Sequence, residues 1–157
     1  MTINEKEQLR MTKNGIAVYS YPNCHLHSFC IALYVKAGCL YESEEDNGIT
    51  HLLEHLVFRN IDKKMNGQMY RVLDRCGLSF NASTYKEFVQ FLITGAPAYY
   101  EQAVEIIARI FDPLTLTAEQ IEIEKFDSNN ELYKESKKEF YKAMSGFHSG
   151  IEFFMCI

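Results

Sequence analysis

The sequence predicts an α+β domain with a mostly antiparallel sheet and helices packed on one face. Three observations carry this. The elements run strands, helix, helix, strands, helix, helix, which segregates them rather than alternating β and α. Hairpin signals join the strands. The long apolar repeats fall at helical spacing in between, and no internal repeat is present.

Taken in order, Leu9–Thr12 and Ile16–Tyr21 flank Lys13-Asn14-Gly15, and Asn-Gly between two alternating apolar runs marks a hairpin. Pro22-Asn23 ends the second strand. Ser28–Lys36 is rich in strand formers and stops at Gly38. Glu42–Asn47 reads as a charged loop. Ile49–Phe58 reads as a buried helix through Leu52, Leu53, Val57 and Phe58, and Asp62-Lys63-Lys64 as a solvated loop. A second helix is expected over Gly67–Cys76, with Gly77 at the C-terminal cap position.

Leu78–Thr84 and Phe88–Thr94 read as two strands turning at Tyr85-Lys86-Glu87. Tyr99–Phe111 places Ala103, Ile106, Ile107 and Ile110 on one helical face, and Asp112-Pro113 ends it. Thr117 with Gln120 three residues on resembles a capping box opening a last helix, which the pattern extends to about Ala143. The tail, Ser145–Ile157, shows no clear period.

Composition narrows the function. The chain has 157 residues, enough for one well-packed domain, residues 1–157. A net charge of -5 opposes a nucleic-acid partner, whose electrostatic footprint would be basic. The apolar stretches Phe29–Val35 and Phe88–Ala96 are too short to span a bilayer, and the start is polar, so a cytoplasmic protein with no membrane partner is expected. The five cysteines form neither CxxC pairs nor an even framework, and free thiols are the simplest reading. Cys24-His25-x-His27-x-x-Cys30 has the residue types of a metal cluster. Strand alternation would send these side chains to opposite faces, so a loop running into a strand is preferred.

The chemistry concentrates in His51-Leu52-Leu53-Glu54-His55. At about 100° per residue, Glu54 lies about 300° and His55 about 40° from His51, so all three share one helix face. Two imidazoles one turn apart can hold two corners of a zinc tetrahedron. The carboxylate between them can take a proton from a zinc-bound water and return it to a leaving amine. This is the inverted form of the HExxH arrangement. A pattern of five residues is by itself a weak signal, and a helical histidine is more often structural. The apolar neighbours strengthen it, because partly burying two histidines and a glutamate without a partner is costly. A third ligand is then needed. The last helix offers Glu119, Glu122, Glu124, Asp127, Glu131 and Glu135; Glu124 and Glu131 lie two turns apart on one face, and periodicity does not choose between them.

The chain resembles the pitrilysin–insulinase peptidases, the family that includes the mitochondrial processing peptidases. The resemblance runs from Asn14-Gly15 through Val35-Lys36-Ala37-Gly38, Tyr41-Glu42-Ser43-Glu44-Glu45, Asn47–Phe58 and Gly77–Thr84 to Glu124 and Glu131, about residues 7–140. The 75 residues between His55 and Glu131 match the family's spacing. The resemblance implies one Zn²⁺ held by His51, His55 and Glu131, with Glu54 as general base and Glu124 supporting the site without ligating. It places Asn81 and Ala82 on an edge strand that pairs with extended peptide, a mode giving affinity with little sequence preference.

It further implies a homologous second domain or subunit, as a homo- or hetero-oligomer. Residues 145–157 read as a divergent tail on a fold truncated at its C-terminal end. Two readings follow: a zinc endopeptidase domain hydrolysing extended peptides, or a non-catalytic or truncated zinc-binding subunit that binds peptide or needs a homologous partner. If a missing half normally covers this domain, an exposed apolar patch and self-association are expected.

Overall fold

A computed structural model describes residues 8–127 and 151–156. Within these residues six strands form one sheet: β1 (Gln8–Met11), β2 (Ala17–Tyr21), β3 (Phe29–Val35), β4 (Ser79–Thr84), β5 (Val89–Gly95) and β6 (Ile151–Cys156). Their order is β1-β2-β6-β3-β5-β4. Every neighbouring pair is antiparallel except β2 with β6. Among the described residues, four α-helices follow the expected order: α1 (Ile49–Lys64), α2 (Met69–Cys76), α3 (Tyr100–Ala108) and α4 (Ala118–Asp127).

The alternation of β3 and β5 decides which face is covered. Phe29, Ile31, Leu33 and Val35 of β3 and Val89, Phe91 and Ile93 of β5 are buried in one core cluster. The helices close it with Val57 and Ile61 of α1, Met69, Leu73 and Cys76 of α2, and Ala103, Ile106 and Ile107 of α3. Of the intervening residues Ala32 is buried, but Cys30, Tyr34, Gln90 and Leu92 are only half-buried, so the opposite face is more open. The expected α+β architecture is observed.

Helix α1 is held on two sides. Val57 and Ile61 face the sheet cluster, while Ile49, Leu52, Leu53 and Leu56 form a second cluster with Leu114, Leu116 and Ile121. What remains is a stripe at helical spacing: His51, Glu54, His55, Phe58, Arg59 and Asp62. With the other two faces buried, all of this stripe except His51 lines the cavity described below.

Three local readings are corrected. Asp62-Lys63-Lys64 is the last turn of α1, not a solvated loop. The helix runs on because Ile61 is fully buried, and buried Asn60 is paired: its Oδ1 accepts from the backbone N–H of Thr115 at 2.9 Å, and its Nδ2 donates to the Pro113 carbonyl at 3.3 Å. Lys63 and Lys64 suit the negative end of the helix dipole, and Lys63 donates to the Thr115 carbonyl at 2.6 Å.

The second helix starts at Met69 rather than Gly67, because Asn66 and Gly67 take positive φ and the Asp62 carboxylate accepts from the Met69 N–H at 3.1 Å. The tail without a period contains β6, inserted between β2 and β3. A strand paired on both sides draws its order from backbone bonds, which a hydrophobic period does not reveal.

Other expectations hold. The Asn14-Gly15 hairpin forms, with Gly15 at φ 79. Gly77 caps α2 in the left-handed region at φ 60. The capping box is reciprocal: Gln120 N–H donates to Thr117 Oγ1 at 3.3 Å, and Thr117 N–H to Gln120 Oε1 at 3.0 Å. The continuation of the last helix to Ala143 lies outside the described residues. Among the described residues, no helix is long and apolar enough to cross a membrane.

Candidate metal centre

The first turn of α1 is capped from a distance. Gly48 occupies the N-cap position and brings no side chain. Glu42 substitutes: its two carboxylate oxygens accept from the N–H groups of Gly48 at 2.7 Å and Thr50 at 2.9 Å. A carboxylate at the positive end of a helix satisfies orphan donors and favours the dipole. The charged Glu42–Asn47 segment therefore anchors the helix that bears the histidines.

One turn on, Nε2 of His51 and Nε2 of His55 face each other at 3.4 Å. A zinc bound to two imidazoles at about 2.0–2.1 Å, at a tetrahedral angle, sets the nitrogens about 3.3–3.4 Å apart. The observed separation fits that edge. Nδ1 of His55 donates to Oε1 of Glu124 at 3.1 Å. Because a carboxylate only accepts, this bond puts the proton on Nδ1 and leaves the Nε2 lone pair directed at His51. Glu124 is buried, with 8% of its side chain exposed, and its Oε2 accepts from Arg59 Nε at 2.5 Å. Burial of this carboxylate is offset by two donors on α1.

Glu54 reaches from α1 to the sheet. Its Oε2 accepts a 2.6 Å hydrogen bond from the hydroxyl of Thr84 on β4. Among the described strands, β4 lies at one end of the sheet. Along it, Phe80, Ala82 and Thr84 turn inward while Ser79, Asn81 and Ser83 are exposed. A cavity of about 530 Å³ lies between this edge and α1, lined by Glu54, His55, Arg59, Asn81, Ala82 and Glu124 together with Phe58, Asp62, Tyr70 and Phe80.

Five of the expected residues, Glu54, His55, Asn81, Ala82 and Glu124, thus meet around one cavity, and His51 adjoins it through His55. Glu131 lies outside the described residues. Among the described residues, no group of three or more His, Cys, Asp or Glu side chains is placed to hold a metal ion. Two residues of the site went unassigned in the sequence. Arg59 lies four residues after His55, one turn along the same face; Thr84 lies two after Ala82, on the same strand face. Helical and strand periods could have nominated both.

The family model for the insulinase peptidases, peptidase family M16, matches residues 20–146. The chain belongs to this family. Among similar M16 relatives, the Mus musculus protein named mitochondrial-processing peptidase subunit beta is 31% identical over 118 residues, covering 75% of this chain and 24% of that protein. The Bacillus subtilis (strain 168) protein named uncharacterized zinc protease YmxG is 28% identical over 125 residues, 80% of this chain and 30% of the relative. A crystal structure of a protease from Helicobacter pylori shares the fold with a TM-score of 0.82 at 19% identity, over 96% of this chain and 46% of that one. This M16 chain therefore spans about a quarter of the mouse relative and under half of the solved protease.

Proposed function

We propose that this chain is the zinc-binding, catalytic part of an M16 endopeptidase that hydrolyses peptides held in extended form. The observation that carries this is the pair of imidazole nitrogens at 3.4 Å, with Glu124 fixing one ring and Glu54 alongside. In this reading His51, His55 and Glu131 hold one zinc. Two nitrogens and a carboxylate suit zinc well.

A bound zinc supplies a water acidic enough to ionise near neutral pH and a positive charge for the developing oxyanion. The chain's own groups do the rest. The Thr84 hydroxyl occupies Oε2 of Glu54, so the other carboxylate oxygen is the one that takes the proton and later delivers it to the leaving amine. Glu124 keeps His55 in the tautomer that offers Nε2. Strand β4 at Asn81-Ala82 supplies backbone donors and acceptors for substrate added as a further strand.

The test is metal analysis of purified protein together with Glu54→Gln. About one zinc per chain is expected, retained in Glu54→Gln while cleavage of a peptide pool disappears. Protein free of metal at neutral pH after zinc loading would overturn the reading.

The similarity to a relative named as a peptidase subunit favours a second reading, in which a homologous domain or partner subunit completes the enzyme. Cleavage by this chain alone, lost with a chelator, rules out the non-catalytic reading. Cleavage that appears only when a related subunit is added supports the partner requirement.

A further inference from the structure

We propose that Arg59 is a positioning residue for the metal centre, locking the Glu124 carboxylate against His55 and thereby fixing which imidazole nitrogen is presented to a cation. The inference rests on the zinc-site reading above and extends it by one residue.

Three observations support it. Arg59 and His55 sit one turn apart on α1 and bind opposite oxygens of the same carboxylate: Arg59 Nε with Oε2 at 2.5 Å, His55 Nδ1 with Oε1 at 3.1 Å. The carboxylate is thus gripped at both oxygens, which fixes its plane as well as its position. Glu124 comes from a different element, α4, which reaches α1 through the 113–117 segment pinned by Asn60 and Lys63. A single neutral donor would leave the Glu124 side chain free to rotate about its terminal torsion, which is broad and roughly two-fold. Finally, Glu124 has only 8% of its side chain exposed, whereas Arg59 has 57%. The exposed partner can change without opening the core.

A bond that merely ties two helices would affect stability alone. A positioning role also sets the tautomer of His55, and through it the direction of the Nε2 lone pair toward His51. Arginine suits this because the Nε–H of its planar guanidinium has a fixed direction, while lysine offers a mobile point charge.

The experiment uses the full 157-residue chain as wild type, Arg59→Met and Arg59→Lys, with two readouts. Zinc affinity is measured by competition with a chromogenic chelator. The His55 tautomer is read from imidazole ¹⁵N shifts of metal-free protein at about pH 8, where an unperturbed imidazole is neutral. Wild type is expected to hold the Nδ1–H form. Arg59→Met should show a mixture of tautomers and bind zinc about tenfold more weakly, the lower end of what loss of an outer support costs. Arg59→Lys should fall between the two.

Unchanged tautomer in both variants overturns the proposal, whatever the affinity does. If Arg59→Met does not fold, Arg59→Lys carries the same comparison. Wild-type chain that binds no zinc, yet shows the tautomer change, would sink the zinc reading and leave the positioning role standing.

Discussion

The hydroxyl of Thr84 donates a 2.6 Å hydrogen bond to Oε2 of Glu54, joining the edge strand of the sheet to the helix that carries both histidines. The group proposed to move the proton and the strand proposed to bind the peptide therefore share one contact. A peptide seated on β4 would be in register with the base because the base is tethered to that strand.

Thr84→Val keeps the shape and removes the donor. In an active assembly kcat is expected to fall about tenfold, the worth of one hydrogen bond to a charged group, with KM within about twofold. Thr84→Ser should recover most of the loss. Steady-state kinetics on a fluorogenic peptide reads this; an equal rise in KM would point to a substrate contact instead.

Glu124→Gln retains size but removes the acceptor strength that holds His55 Nδ1–H and Arg59. Zinc affinity should drop about 10–100-fold, the usual cost of losing an outer partner of a metal-bound histidine. Chelator competition on wild type and variant checks it.

Glu42→Ala leaves the N–H groups of Gly48 and Thr50 without their acceptor. The expected loss is about 1–2 kcal/mol of stability, as for other N-terminal caps. Urea unfolding followed by circular dichroism measures it. Glu42→Gln should lose less, since an amide oxygen still accepts one bond.

Gly38→Ala tests a close approach. A Cβ at Gly38 would lie 2.4 Å from the Tyr85 carbonyl oxygen and 2.5 Å from that of Lys86. The neighbouring Leu40 N–H bonds to the same Lys86 carbonyl at 2.8 Å, so the two loops cannot simply part. We expect destabilisation of about 1–3 kcal/mol, typical of overpacking, visible as a lower unfolding midpoint.

Much of this was legible in the sequence because periods and punctuation are local. Asn14-Gly15, Gly77 and the Thr117–Gln120 box each announce their structure within a few residues. The shared face of His51, Glu54 and His55 follows from helix geometry alone. Asn60 was not legible. A buried asparagine in α1 makes sense only once the 113–115 backbone arrives to pair with it. The same holds for Arg59, whose partner lies 65 residues on. Long-range pairing of polar groups leaves no periodic trace, and for this reason the sequence pattern stops the helix at Phe58 while the structure carries it to Lys64.

Strand β6 has a consequence for the order in which the molecule assembles. Among the described strands, the hairpin of β1 and β2 reaches the rest of the sheet only through residues 151–156. A chain made from its N-terminus completes the hairpin first and its docking strand on the order of ten seconds later, at ordinary rates of translation. During that interval the hairpin has an unpaired edge and carries Leu9, Met11 and Tyr21, all exposed even in the finished fold. The earliest strands to be made must therefore be among the last to be built in, and the nascent hairpin is most vulnerable to misassociation just before β6 emerges.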